Sequence, residues 1–145
     1  MDGAPGTAYA AGAWHPVPMP GPLPLVIVDA ANVVGSVPDG WWRDRRGAAE
    51  RLRDSLVPYA RDGLPGLPGP VDLVLVVEGR ARDVTPVPGV RVAAAAGSGD
   101  DLIAELAAEA APRPCLVITA DRELRRRVEA HGARCAGPRT VRPGA

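Results

Sequence analysis

A length of 145 residues suits one domain, alone or with tails. Seventeen basic residues, all Arg, against seventeen acidic ones give a formal net charge of zero, which excludes a strongly basic coat or histone-like nucleic-acid binder but not a local basic patch. With 46% apolar residues, no Phe and only five aromatic side chains, the core is expected from Val, Leu, Ile and Ala, and stacking platforms for single-stranded nucleic acid are scarce.

Residues 1–22 are Ala, Gly, Pro and little else, and read as a disordered tail or a stretch upstream of the true start. They lack a basic n-region, so no signal peptide is expected. Leu25-Val26-Ile27-Val28 is a continuous β-branched run, the pattern of a strand buried on both faces, and the apolar run from Leu23 is far too short for a membrane span. Residues 43–61 carry apolar positions at helical spacing: Ala48, Ala49, Leu52, Leu56 and Tyr59 or Ala60. The Gly/Pro stretch 62–70 predicts a loop. Val71 to Val77 predicts a second buried strand, and Val90 to Ala93 a weaker third. A helix is expected over 100–111, burying Leu102, Ile103, Leu106 and Ala110. Cys115 to Thr119 reads as another buried strand. Residues 121–131 read as a helix burying Leu124 and Val128, and Ala133-Arg134-Cys135 as a short last strand. Residues 137–145 read as frayed, which leaves a domain over 23–137 and a flexible C-terminal tail over 138–145. The order β-α-β-β-α-β-α-β, with continuous strands, predicts a mostly parallel, three-layer α/β sandwich. The two cysteines, Cys115 and Cys135, have no metal spacing and are too few for a disulfide framework, which points to a reducing cytoplasm.

Ligands of open parallel sheets bind beyond the carboxyl ends of the strands. Each strong strand here is followed there by an acid: Asp29 after Val28, Glu78 after Val77, and Asp121 two residues after Thr119. Asp100-Asp101 opens the helix after the third strand. Clustered carboxylates repel, and a divalent cation relieves the repulsion. Mg²⁺ and Mn²⁺ prefer such oxygen donors, activate water and stabilise a leaving phosphate oxygen. No His lies near a strand end: His15 falls in the N-terminal tail, and His131 ends a helix, where a cation suits the dipole.

Plainer roles compete for several of these residues. Asp121 reads equally as a helix cap. Ser98-Gly99-Asp100-Asp101 fits a capping box, which favours capping for Asp101 and leaves Asp100 to the site. Asp29 has no helix signal in the ten residues after it, which favours a functional role. Glu78 is balanced between the two. Asn32, three residues past Asp29, reads as a residue that holds the loop or orients Asp29.

Together these segments resemble the NYN/YacP-like nucleases of the PIN-like superfamily. Val28-Asp29-Ala30-Ala31-Asn32-Val33-Val34-Gly35 resembles the family's first motif, which usually reads Asp-Gly-Tyr-Asn. Gly99-Asp100-Asp101-Leu102-Ile103 resembles its acidic helix start, and Ile118-Thr119-Ala120-Asp121-Arg122 its final Thr/Ser-x-Asp-Arg motif. Glu78 stands where the family usually has Asp, and Ala30-Ala31 replaces Gly-Tyr. The resemblance spans residues 23–137. It implies a Rossmann-like, PIN-like fold with strand order 3-2-1-4-5. It also implies a metal-dependent ribonuclease in which Asp29, Asp100 and Asp121, with Asp101 beside them, bind Mg²⁺ or Mn²⁺. Glu78 would be an auxiliary acid and Asn32 a residue orienting the site.

RNA is then the expected partner. Arg43, Arg45 and Arg46, with Arg122, Arg125, Arg126 and Arg127, are candidate phosphate contacts at the mouth of an acidic cleft, or else a solvated helix surface. Trp41-Trp42, after a Pro38-Asp39-Gly40 turn, reads as a base-stacking or cleft-covering pair, or as a staple of the first helix to the sheet. Two other functions are compatible with the sequence. One is a nucleotide pyrophosphohydrolase or other metal phosphohydrolase, although residues 48–52 lack the tandem-Glu helix of a Nudix box. The other is a non-catalytic RNA-binding or partner-binding domain of the same fold.

Overall fold

In the computed structural model, described over residues 22–142, the predicted buried runs become a five-stranded, fully parallel sheet. Strand β1 (Leu25–Asp29) leads directly into a short helix, α1 (Ala30–Val34). A 3₁₀ turn at Trp41–Arg43 precedes the long helix α2 (Arg45–Asp62). Within the predicted 62–70 loop, β2 (Gly63–Leu64) and β3 (Leu67–Pro68) form a small antiparallel hairpin. There follow β4 (Asp72–Val77), β5 (Val90–Ala94), α3 (Gly99–Ala110), β6 (Cys115–Ile118), α4 (Arg122–Glu129) and β7 (Arg134–Ala136). The strands lie in the order β5-β4-β1-β6-β7. Counting sheet strands alone, that is 3-2-1-4-5, the order the motif resemblance implied.

The period of two along each strand divides the core. Val26 and Val28 of β1, Leu73, Leu75 and Val77 of β4, and Leu116 and Ile118 of β6 pack against α1 and α2. Leu25, Ile27, Val74, Val76, Cys115 and Val117 pack on the other face against α3 and α4. Both faces are covered, which is why these strands are apolar runs and not alternating ones. Residues 1–21, holding most of the predicted tail with His15 and Trp14, lie outside the described residues. Among the described residues no helix is long and apolar enough to cross a membrane.

Two expectations need correction. Helix α1 was missed: its five residues follow Asp29 without a break, and so short a segment carries no period to read. The segment expected to fray from residue 137 instead packs on the domain through residue 142. Pro138–Thr140 forms a 3₁₀ turn, and Pro138 and Val141 are buried. Arg142 donates from Nη1 to the carbonyls of Val33 (3.2 Å) and Val34 (2.9 Å), and from Nη2 to Asp39 (2.5 Å). Those carbonyls end α1 and have no partner within the helix. A composition of Gly, Pro and Arg suggested a tail, yet here each apolar residue finds a groove and the guanidinium finds acceptors.

The opposite edge of the sheet is neutralised. Asp72, at the start of β4, accepts two hydrogen bonds from Arg91 at 2.9 Å and one from Arg113 at 2.8 Å, and Arg113 also binds the Leu23 carbonyl. These arginines hold the Asp72 carboxyl below the usual carboxylate range, against the rise that burial alone would give.

Candidate active site at the carboxyl edge of the sheet

The parallel sheet brings the candidate acids to one edge. Asp29 is the last residue of β1, Glu78 follows β4, and Asp121 lies just beyond β6. Asp100 enters from the first turn of α3. None of the four forms an ion pair with a described residue. This is the reverse of Asp72 on the opposite edge.

Asp29 is only 4% exposed. Its Oδ2 accepts from the Thr119 hydroxyl at 2.9 Å, and its Oδ1 accepts from the Asn32 backbone N–H at 3.4 Å. The second bond makes Asp29 the N-cap of α1, a structural role with no sign in the residues that follow it. A pure cap would have its carboxyl pulled down. Instead burial pushes Asp29 from 3.8 up to about 6, and the charges of Asp100 and Glu78 add to the rise; the two hydrogen bonds only partly oppose it. Asp100 is raised too, first by burial, then by Asp121 and Glu78, with Arg127 opposing. Mutual repulsion thus links all four acids.

Positioning residues tie the edge together. Asn32 accepts from the Ala120 N–H through its side-chain oxygen at 2.8 Å, so it both holds the loop after β6 and touches Asp29 through its backbone. Thr119, fully buried, donates to Asp29 and accepts from the Asp121 N–H at 3.2 Å. Asp121 caps α4 through the Leu124 N–H at 3.0 Å, so its cap reading and its site position coexist. Glu78 Oε1 accepts from the Gly99 N–H at 2.7 Å, joining the end of β4 to the start of α3. A Cβ at Gly99 would lie 2.4 Å from that oxygen, so a side chain there would push the Glu78 carboxylate out of this approach. Neither Thr119 nor Gly99 was expected to have a role of its own. The sequence signal for Thr119 is its place in the Thr/Ser-x-Asp-Arg resemblance; the sheet register, with Val28 opposite Ile118, is what makes the next residues, Asp29 and Thr119, neighbours.

Asp101 is turned outward. It is exposed, pairs with Arg127 at 3.0 Å, and gives its N–H to the Ser98 cap at 3.2 Å, one half of a capping box. The arginines divide. Arg43 lies over Trp42 at 5.6 Å and Arg45 over Trp41 at 5.2 Å. Arg46 pairs with Glu50 and Asp83, and Arg126 with Glu123. Arg125 donates from Nε to the Thr119 carbonyl at 2.9 Å, which holds the site loop in place. Arg122 is exposed. Trp41 packs against the core as a staple, while Trp42 is 49% exposed.

Oxygen donors of this kind suit a hard divalent cation. Among the described residues no three His, Cys, Asp or Glu side chains form a ready metal cage. An ion here would be held by carboxylates with water completing its shell, the habit of Mg²⁺.

No protein-family profile matches the chain, and no curated protein matches it. Solved structures do. Rae1 (YacP) from Bacillus subtilis is similar with a TM-score of 0.65 at 16% identity, over 81% of this chain and 70% of that one. A single-substitution mutant of the same protein is similar at 0.61 and 18% identity, over 82% of this chain and 72% of that one. At this identity the likeness shows the fold, and it is the α/β fold that the motifs implied.

Proposed function

We propose that the chain is a metal-dependent ribonuclease. The observation that carries this reading is a set of four carboxylates, unpaired with any described cation, at the carboxyl edge of a parallel sheet whose opposite edge is neutralised by arginine. The fold shared with YacP and the motif resemblance to YacP-like nucleases support it.

Asp29, Asp100 and Asp121 would hold Mg²⁺ or Mn²⁺, which when bound supplies charge against the phosphate and lowers the pKa of a water. Asp29 is kept from solvent and aimed by Thr119 and Asn32. Its carboxyl, raised to about 6, still holds its proton in mildly acidic solution, so below neutral pH metal binding and deprotonation are coupled. Glu78 has one oxygen fixed by Gly99 and adds negative charge beside Asp29 and Asp100. Arg122, Arg43 and Arg45 are exposed guanidinium groups suited to phosphates of the chain being cut. The proposed setting is the cytoplasm, where Cys115 and Cys135, both free, stay reduced.

The deciding experiment incubates the protein with single-stranded RNA and, separately, with nucleoside triphosphates, in Mn²⁺ or in EDTA. Mn²⁺-dependent shortening of RNA is the expected result. Release of pyrophosphate from the triphosphates with intact RNA would move the assignment to a nucleotide pyrophosphohydrolase. RNA binding with neither reaction would make this a binding domain.

A further inference from the structure

Next to the carboxylates, between α1, α2 and the turn after β4, lies a cavity of about 150 Å³. Ala30, Val34 and Ala81, all buried, form an apolar floor. Trp41 supplies an aromatic wall, and Arg45 carries its guanidinium 5.2 Å from that ring. Arg80 stands exposed at the rim. Glu78 lines the same cavity, and Ala30 follows Asp29 directly, so the cavity and the acidic edge share a wall.

We propose that this cavity receives one nucleobase of a single-stranded RNA, stacked on Trp41, while Arg45 and Arg80 hold an adjoining phosphate. The proposal rests on the ribonuclease reading and names how the substrate is seated. A planar ring fits the chemistry of the walls, because indole and guanidinium both stack on bases. The phosphate belongs at the arginine rim, since Glu78 repels an anion inside the cavity. The apolar floor offers the ring contact area without reading its edge, so the seat tolerates different bases. Seated there, one nucleotide brings its neighbouring phosphodiester toward Asp29.

The test measures binding without cleavage. A fluorescein-labelled hexaribonucleotide is titrated in EDTA and followed by anisotropy, beside the same oligomer with one abasic position. Trp41→Ala should weaken binding by about 5- to 150-fold, the range for loss of one base–aromatic stack. Trp41→Phe should recover most of it, because a ring is restored. Ala31→Leu, an exposed position lining the cavity, should fill it and weaken binding with an unchanged melting temperature. Wild-type affinity in both Trp41→Ala and Ala31→Leu would overturn the proposal, and so would a Trp41→Phe variant that melts normally but binds no better than Trp41→Ala. The two readings fail separately. Cleavage indifferent to Trp41 and Ala31 sinks the base seat alone. Trp41-dependent binding with no cleavage in any metal sinks the ribonuclease alone.

Discussion

Asp29→Asn separates a metal-binding acid from a structural cap. In the folded chain burial lifts the Asp29 carboxyl from 3.8 to about 6. The fold therefore favours the neutral form. The stability this confers is complete below about pH 4 and is lost as pH rises through about 6, because the native state holds the proton longer than the unfolded chain does. The shift corresponds to about 3 kcal/mol of destabilisation at neutral pH. Asparagine keeps the shape, but its single acceptor oxygen can serve only one of the two donors; facing the Thr119 hydroxyl, it turns its NH2 toward the Asn32 N–H and gives up the α1 cap, which returns about 1–2 kcal/mol of that gain. The metal-free variant should thus be about 1–2 kcal/mol more stable than wild type near neutral pH, or about 4–8 °C in melting temperature. Near pH 4 that advantage should vanish. In Mn²⁺ the order should reverse toward wild type, since a ligand at 100 times its Kd stabilises by about 3 kcal/mol and the variant has lost a donor. RNA cleavage should fall by about 100-fold or more. Thermal melts across pH in EDTA and in Mn²⁺, with a cleavage assay beside them, check each step. A variant that is less stable at neutral pH in EDTA and cleaves RNA undiminished would refute the reasoning.

Two further substitutions probe the frame around the acids. Thr119→Val keeps shape but leaves Asp29 Oδ2 and the Asp121 N–H without their partner; urea denaturation should register a loss of about 1–3 kcal/mol. The acid limb of its cleavage–pH profile should also move upward, because the Thr119 bond is one of those that lower the Asp29 pKa. Arg142→Ala should cost about 1–3 kcal/mol, because the Val34 carbonyl at the end of α1 loses its donor and the Val33 carbonyl keeps only its bonds from Ser36. An unchanged melting temperature would show that the C-terminal segment does not brace the site.

Much of this architecture is legible in one dimension because burial on both faces leaves a local trace. Leu25 to Val28, Leu73 to Val77 and Cys115 to Ile118 are apolar without interruption, and the structure makes them the three central strands of the sheet. The acids at their ends were legible for the same reason: a parallel sheet has one carboxyl edge, so residues following separate strands must meet there. Asp29, Glu78, Asp100 and Asp121 do. The role of Ser98 as a cap was readable too, because capping depends on residues three apart.

What escaped the sequence depends on partners distant along the chain. Arg142 reaches back to α1 across 108 or 109 positions, and nothing in Val141-Arg142 announces a groove on the other side of the domain. Arg125 looks like its neighbours Arg126 and Arg127, yet only Arg125 turns to the Thr119 carbonyl, because its place on α4 faces the strand end. The cavity beside Glu78 is likewise beyond any sequence pattern, since Ala30, Trp41 and Ala81 become its walls only when α1, the 3₁₀ turn and the β4 exit pack together. The strands, the two layers of helix and the acidic edge are written locally, because periodicity, capping and strand ends are local properties. Which acids lack an ion pair is settled only in three dimensions, since that depends on where each arginine is held: two clamp Asp72 on one edge, while among the described residues none forms an ion pair with the four carboxylates on the other.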